Sequence, residues 1–510
     1  MNTVVLNAKP TPRCRLPVLF VGMLASAMAH AFNSGSTGAD GALNVVVNTE
    51  ITLPASGVLN YTTVNIPAGV TVKFKKNTAN TPVYVLATGD VTIAGAIDIR
   101  GGDATSTGTY GDGALGDDGI PGVGGPGGFD GGRGGRDDTA QRPEIIRGGS
   151  GLGPGGGPGG TEGGDGCTAT GYNKYVGTGG AYAANTYQPF GVYNCSAGRT
   201  ALGKAYGSTL LQPLIGGSGG GGGRGGTNYP GSGGGGGGGS LLIASSGTLR
   251  ITGSIDANGG DSGGIDGSGA GGRGSGGSGG GIRLVATSIA GNGGLYANGG
   301  CSNNGGRRQL CGSDGGYNQY GGSPGRIRIE ADAITFSGTS QPTYVADRPG
   351  PVFIAGAPSL RIASVSGQAV PANPTGNADI TLPASTTGPV TVTFETVNVP
   401  VGNTVLLRVV PAYGLPIEVL SPAIAGSTAN GNASVSVTLP SGPSVLQATA
   451  TYTVVVAGTL DLSRFAMNEA VEKVEVTVPM DGQPTARLLT ASGKAYTVSY
   501  ATLQAAGFAG

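Results

Sequence analysis

Apolar and polar residues alternate in short stretches that glycine separates. Val91 and Ile93 alternate with polar residues, and after Gly95 the pattern continues at Ile97 and Ile99. A period of two residues indicates β-strands with one buried face. Strands as short as these are not stable alone, so the pattern predicts that they stack on further strands.

The same pattern recurs along the chain as an internal repeat. Residues 83–103 align without a gap with residues 241–261, at an offset of 158 residues. A third copy at 282–300 fits with a one-residue gap, and a fourth at 326–338 follows the third at an offset of 45. The stretch 58–74 has the same alternation and is the predicted entry coil. Such repeats predict stacked coils that bury their apolar positions in one column.

Glycine is concentrated between the copies: 82 of the 106 glycines lie in 101–325. From Gly113 to Gly134 it occupies every third position, a period shared by collagen and by polyglycine-II helices. Two prolines in this tract are too few for collagen, and a flexible linker is the other alternative. Because the tracts recur at one place in each coil, we predict ordered, polyglycine-II-like strands beside the column. The predicted glycine-rich insertions are 101–240, 259–281 and 299–325.

Residues 1–31 have the features of a secretory signal peptide. Three basic residues precede the apolar stretch "LPVLFVGMLASAM", and Ala29–Ala31 forms a small-x-small cleavage site. No other apolar segment has the length of a membrane span. We therefore expect a mature chain that starts at Phe32 and is secreted, in the extracellular space or at the cell surface of a bacterium.

The C-terminal part has a different composition, rich in Val, Thr, Pro and Ala. Alternating strands broken by Pro and Gly turns predict an immunoglobulin-like β-sandwich over 351–457. Residues 458–510 predict a β-hairpin or meander, with turns at Asp481-Gly482 and Ser492-Gly493.

The unit "LLIASSGTLRITGSIDANGG", preceded by "GGGS" at 237–240, carries a family resemblance. It resembles a repeat of glycine-rich exported bacterial surface proteins, some of them named for adventurous gliding motility. The resemblance covers residues 40–340, implies a right-handed β-helix-like column at the cell surface, and carries over no catalytic residue. The expected fold class is all-β: a right-handed parallel β-helix-like solenoid over 32–350 with polyglycine-II-like excursions, followed by the immunoglobulin-like β-sandwich.

Removal of the leader also removes His30, so the mature chain contains no histidine. This excludes Ser-His-Asp and Cys-His nucleophilic sites. The 29 Asp and Glu face 26 Lys and Arg (29 less the three in the leader), which excludes a strongly basic nucleic-acid binder.

Paired carboxylates are the remaining catalytic option, since glycosidases use two of them. Asp98 and Asp256 share a position in the repeat, but the third copy has Tyr296 there. We therefore predict a turn role for these aspartates, with no catalytic residue, no metal site and no cofactor. Calcium is the alternative, since acidic residues at 116–119 and 136–138 offer oxygen ligands.

Four cysteines remain in the mature chain, an even number that favours disulfides in an exported protein. Proximity along the chain predicts the pairs Cys167–Cys195 and Cys301–Cys311. A four-cysteine zinc site is the alternative, but these spacings match no zinc ribbon.

The insertion 167–195 collects aromatic residues in one predicted disulfide-closed loop. Rings with a polar tip suit recognition of sugars or protein surfaces, whereas the other interpretation packs them on glycine strands that lack side chains. The candidate binding residues are Tyr172, Tyr175, Tyr182, Tyr187, Phe190 and Tyr193.

The expected function is that of a non-enzymatic exported structural or adhesive protein of the cell surface or extracellular matrix, with a fibre subunit as one form of that role. The alternative is a polysaccharide-binding or polysaccharide-cleaving β-helix protein. The expected partners are glycans or other surface proteins, or further copies of the chain.

Overall fold

A computed structural model describes most of residues 32–510, and nearly all of their regular structure is β-strand. The helical segments that lie wholly within the described residues are short: α1 (Pro143–Ile146), α2 (Tyr500–Ala505) and the 3₁₀ turn Ser463–Phe465. The described residues are 32–105, 119–140, 142–160, 175–187, 201–264, 271–304, 307–308, 321–353, 356–371, 379–411, 416–456, 460–480 and 484–508. The predicted signal peptide 1–31 lies outside them.

The first nineteen strands belong to the repeat region and its excursions. They are β1 (Leu43–Asn44), β2 (Thr49–Thr52), β3 (Val58–Tyr61), β4 (Val64–Ile66), β5 (Thr71–Lys75), β6 (Val83–Ala87), β7 (Val91–Ile93), β8 (Ala96–Asp98), β9 (Thr186–Tyr187), β10 (Ala201–Gly203), β11 (Ser240–Ile251), β12 (Ser254–Asp256), β13 (Gly281–Gly291), β14 (Gly294–Tyr296), β15 (Asn303–Asn304), β16 (Arg307–Arg308), β17 (Arg326–Phe336), β18 (Thr339–Gln341) and β19 (Val345–Asp347).

Two parallel sheets form a column from these strands. The first sheet has the order β1-β4-β7-β11-β13-β17-β19, with β3 joined through β6 to β11, and the second has the order β2-β5-β8-β12-β14-β18. Val83 lies opposite Leu241, which confirms the offset of 158, and Gly281 lies opposite Arg326, which confirms the offset of 45. The one-residue gap is a register shift between β11 and β13. Residues that align between copies of the repeat are therefore the residues that pair between neighbouring strands.

Rows of apolar side chains fill the space between the two sheets. Val85, Ile243, Leu284 and Ile329 lie opposite one another on four neighbouring strands, and all are buried. Complete burial of such a side chain contributes about 1.5–3 kcal/mol. Since each strand supplies at most five of these residues, no strand forms a core alone and the column is stable only as a stack.

Beside the column lies a second packed region, which we call the glycine lattice. Its segments hydrogen-bond to one another through backbone groups outside the sheets. The glycine lattice comprises 99–105, 119–138, 146–160, 175–183, 215–240, 257–264, 271–281, 297–302 and 321–325.

The remaining eleven strands form two antiparallel sheets near the C-terminus. They are β20 (Ser359–Val365), β21 (Gln368–Ala369), β22 (Val390–Val397), β23 (Val405–Pro411), β24 (Ile417–Leu420), β25 (Ala425–Gly426), β26 (Gly431–Val437), β27 (Ser444–Val455), β28 (Val471–Pro479), β29 (Thr485–Thr490) and β30 (Ala495–Ser499). One sheet has the order β21-β20-β22-β26-β25 and the other β24-β23-β27-β28-β29-β30.

One hydrophobic core unites these two sheets. It contains Phe394 and Leu407 from the predicted sandwich, and Val476, Leu488 and Leu503 from the segment after residue 458. The segment after residue 458 continues the second sheet, because β28 pairs with β27 and is followed by β29 and β30. The predicted turn at Asp481-Gly482 lies outside the described residues. Hydrophobic alternation identifies strands without showing which neighbour they pair with.

Candidate functional site

The glycine run 216–226 lies at the centre of the glycine lattice, and its residues are buried. Its N–H groups donate in rotation to three different segments, so each segment receives a bond from every third residue. The donor–acceptor pairs are Gly217 to Gly238, Gly220 to Gly235 and Gly223 to Ser232; Gly219 to Leu152, Gly222 to Gly149 and Gly225 to Ile146; and Gly221 to Thr178 and Arg224 to Tyr175, at N–O distances of 2.7–3.0 Å.

The carbonyl oxygens of the same run accept bonds from three other segments. These donors are Phe129, Gly132 and Gly135; Gly157 and Gly160; and Gly272, Ser275 and Ser278. The run therefore has six hydrogen-bonded neighbours among the described residues. The following run, 231–239, is likewise surrounded by six segments, one of which is the first run itself.

Steric exclusion explains why these runs contain little besides glycine. A Cβ atom at Gly220, Gly221 or Gly222 would overlap the carbonyl oxygen of a different neighbour in each case: Ser275, Pro158 or Arg133, respectively. With neighbours on every side, no position of the triplet has room for a side chain.

Segments at the edge of the glycine lattice keep fewer glycines per triplet. In 119–125, glycine is required at every third position, while Ile120 and Val123 are 48% and 58% exposed. In 131–136 two of every three residues are glycine, and Arg133 and Arg136 occupy the third position. The number of glycines per triplet thus follows the number of neighbouring segments.

The structure corrects the assignment of Tyr182 to a binding surface. Its side chain is fully buried and packs with Leu211 and Leu242, while its hydroxyl donates to the carbonyl of Ile215 at 2.9 Å. Burial raises the pKa of this phenol. The Tyr182 ring therefore fills space over side-chain-free backbone, which is the interpretation that the sequence left as the alternative.

The other aromatic candidates are only partly described. Tyr175 is half-buried, with the Arg224 guanidinium carbon 4.7 Å from its ring centroid. Tyr187 lies on β9, which pairs with β10. Tyr172, Phe190 and Tyr193 lie outside the described residues, so a binding role of this loop stays a prediction.

Of the four cysteines, Cys301 lies within the described residues, where it is buried and disulfide-bonded. Cys167, Cys195 and Cys311 lie outside them, as do Asp117 and Asp118 of the candidate calcium segment 116–119. The pairing of the disulfides stays a prediction.

Asp98 and Asp256 do lie opposite each other on neighbouring strands. Their Oδ1 atoms accept the backbone N–H groups of Arg100 (3.1 Å) and Asn258 (2.9 Å), each two residues on, which is the predicted turn role. Burial opposes ionisation of Asp98, but bonds from Arg100 and Lys73 outweigh it and lower its pKa. Burial and the nearby Asp98 charge raise the pKa of Asp256.

A groove of about 320 Å³ opens beside Asp98. Charged side chains of the second sheet line one wall, and the lattice segment 123–126 forms the other. Lys73 Nζ lies 3.2 Å from Asp98 Oδ2, and Arg100 Nε lies 3.0 Å from Asp98 Oδ1. The groove therefore has paired charges on one wall and a glycine-rich segment on the other.

A second charged cluster lies on the outer face of the first sheet. Arg283 bonds Glu330 through two nitrogens, Arg328 bonds Glu330 and Asp347, and all but Asp347 are buried. Gly350 N–H donates to Glu330 at 2.8 Å, and Arg283 also donates to the Pro351 carbonyl. This cluster fastens the segment that leads from β19 towards β20.

Within the described ranges no helix is long and apolar enough to cross a membrane, and no three His, Cys, Asp or Glu side chains cluster as a metal site would require. Comparisons with protein-family models, curated protein sequences and solved structures find no match for this chain. A functional assignment therefore depends on the residues of the chain itself.

Proposed function

We propose that this protein is a non-enzymatic, exported structural or adhesive component of a bacterial cell surface or extracellular matrix. The observation that supports this proposal is the pair of central glycine runs, each hydrogen-bonded to six neighbouring segments. Ordering glycine costs more conformational entropy than ordering any other residue, so this arrangement is favourable only where packing is extensive. Such a region suits a rigid scaffold.

The architecture we propose has three parts. The parallel column is a right-handed β-helix-like solenoid, a hand favoured by the handedness rule for parallel crossover connections. The glycine lattice is a bundle of polyglycine-II-like strands. The two antiparallel sheets form an immunoglobulin-like sandwich extended by β29 and β30, an assignment supported by the β20-β22-β26-β25 and β24-β23-β27-β28 pairing.

Export is supported by the leader pattern of residues 1–31 and by the disulfide at Cys301, a bond typical of proteins outside the cytosol. The proposal is tested by fractionating cells that carry an epitope tag after Gly510. Recovery in the surface or extracellular fraction, with the leader removed, is expected. Recovery of the folded protein in the cytoplasm would overturn the proposal.

The fibre form of this proposal is tested separately on purified mature protein. Electron microscopy of concentrated samples should show filaments if copies join end to end. Single particles at every concentration would limit the role to that of a monomeric scaffold or adhesin.

A further inference from the structure

The outer face of the second sheet carries a straight row of polar side chains. One residue comes from each of six neighbouring strands, and every pair of neighbours lies in register. We call it the polar row: Glu50, Lys73, Asp98, Asp256, Tyr296 and Gln341. Because neighbouring strands lie about 4.8 Å apart, the polar row crosses the sheet at right angles to the strands with that spacing.

Tyr296 is the aromatic member of the polar row, and its ring rests on its own strand. Two residues before it, on the same face, Gly294 stands where the other copies have Ala96 and Ser254. A Cβ at Gly294 would lie 2.5 Å from Tyr296 Oη and 2.6 Å from Cζ, so the phenol end of the ring occupies that space. The copy that carries Tyr296 thus has glycine at the position over which the ring lies.

The Tyr296 side chain is half-buried, so it is held against the backbone and still reaches solvent. An aromatic ring with a polar tip, fixed on a rigid sheet, binds a flat apolar surface at low conformational cost. The pyranose ring of a sugar offers such a surface, with hydroxyl groups at its edge.

Hydrogen-bonding side chains flank this ring on both sides. Asp256 precedes it in the polar row and Gln341 follows it. Asn298 Nδ2 lies 3.4 Å from Gln341 Oε1, and its backbone N–H donates to Asn258 Oδ1 at 2.6 Å. Amide and carboxylate groups offer paired donors and acceptors that match neighbouring hydroxyls.

Four charges along this face are paired with each other. Asp98 is bonded by Lys73 and Arg100, and Arg100 Nε also lies 3.8 Å from Asp256 Oδ2. A face of balanced charges offers no net attraction for a polyanion or a polycation. It complements an uncharged ligand that is rich in hydroxyl groups.

We propose that the polar row binds an extended neutral polysaccharide, laid across the strands from the groove beside Asp98 to Tyr296. The strand spacing of about 4.8 Å is close to the length of one sugar residue in an extended β-linked chain, so successive sugars meet successive strands. Tyr296 stacks on one sugar, while Asp256, Asn298 and Gln341 bond hydroxyls around it. The inference rests on the proposed surface role, where such polymers are encountered.

The test measures binding of purified mature protein by affinity electrophoresis and calorimetry. The probes are xyloglucan and chitohexaose as neutral, extended β-linked glycans, with alginate as the anionic comparison. At least one neutral glycan should bind, Tyr296→Ala should weaken it at least tenfold, and Tyr296→Phe should keep most of the affinity. Asp256→Asn should weaken it as well, whereas the matched control Asp332→Asn, exposed on β17, should not.

Three results would overturn the proposal: no binding of any neutral glycan, full affinity in both Tyr296→Ala and Asp256→Asn, or preferential alginate binding that salt abolishes. Melting curves of each variant show whether weaker binding comes from a missing contact with the glycan or from unfolding of the protein. Should Tyr296→Ala melt early, Gln341→Ala takes its place, because that side chain lies exposed at the end of the row. Surface fractionation does not depend on these outcomes, so failure here leaves the structural role untouched.

Discussion

Arg283 and Glu330 form a bidentate ion pair in which both side chains are 2% exposed, with Nε–Oε1 and Nη2–Oε2 distances of 3.0 Å. The pair lies on the outer face of the first sheet and holds the backbone of Gly350 and Pro351. Because that backbone leads on to β20, the ion pair fastens the column to the chain that enters the C-terminal sheets.

Glu330→Gln should strongly destabilise this junction. The substitution leaves the buried Arg283 and Arg328 without their shared carboxylate, and loss of one partner of a buried pair costs about 3–5 kcal/mol. Chemical denaturation is the measurement. Glu395→Gln is the control: its pair with Arg361 is about half exposed, so a change below about 1 kcal/mol is expected.

Acid should weaken the junction as well. Burial opposes ionisation of Glu330, but the bonds from Arg283 and Arg328 outweigh it and lower its folded-state pKa below the ordinary 4.5. The associated stability is present above pH 4.5 and is lost as the pH falls through the lowered value. Melting temperatures between pH 7 and 3 should fall at the acidic end, and less steeply in Glu330→Gln. Parallel profiles for the two proteins would contradict this assignment.

Gly221→Ala should destabilise the glycine lattice, because its Cβ would overlap the carbonyl of Pro158. Overpacking of this kind typically costs about 1–3 kcal/mol. The matched control is Gly388→Ala, where no atom lies within 4 Å of the added Cβ. Thermal melts should show a lower midpoint for the first variant and an unchanged or slightly higher one for the second. Equal midpoints would mean that the runs are not packed as described.

Amide hydrogen exchange should be slow across 217–225. The N–H groups of this run donate to neighbouring segments inside a buried region, so exchange requires the glycine lattice to open. Mass spectrometry of exchanged peptides gives the rates, with the buried strand β13 as the internal reference. Exchange at random-coil rates would rule out the packed arrangement.

Tyr182→Ala should lower stability by about 3–5 kcal/mol, the usual cost of emptying a large aromatic site. The ring is fully buried and its hydroxyl bonds Ile215, so we expect no direct effect on glycan affinity. Calorimetry below the melting point measures glycan affinity on folded protein, so a change in affinity is separated from a change in stability. A stable variant with lost glycan binding would instead support the aromatic loop as the binding surface.

The strand pairing of the column could be predicted from sequence because each copy repeats its apolar positions. The alignment of the copies matches Val85 with Ile243, and these two residues do lie opposite each other. The residues that follow Asp98 likewise predict the turn in which its carboxylate takes part. The position of Tyr182 could not be predicted, because a tyrosine between glycines has the same local pattern in a core as on a surface.

The buried pair at Arg283 was hidden for a related reason. Arg283 and Arg328 occupy the polar positions of an alternating strand, which normally face solvent. That face is covered by residues 347–353, which no local pattern indicates. Residues far apart in sequence come together at both places, over Arg283 and around run 216–226. Such contacts arise only when the whole chain folds, so local patterns do not predict them.

Successive N–H groups of a glycine run donate to three neighbouring segments in turn, and this order limits how the length of a run can change. Every third N–H meets the same neighbour, as Gly217, Gly220 and Gly223 do. An insertion of three residues would extend a run and keep each donor facing its partner, whereas an insertion of one would turn all later donors to the wrong segment. Whole triplets are therefore the unit by which such a glycine tract can lengthen or shorten without losing its hydrogen bonds to its neighbours.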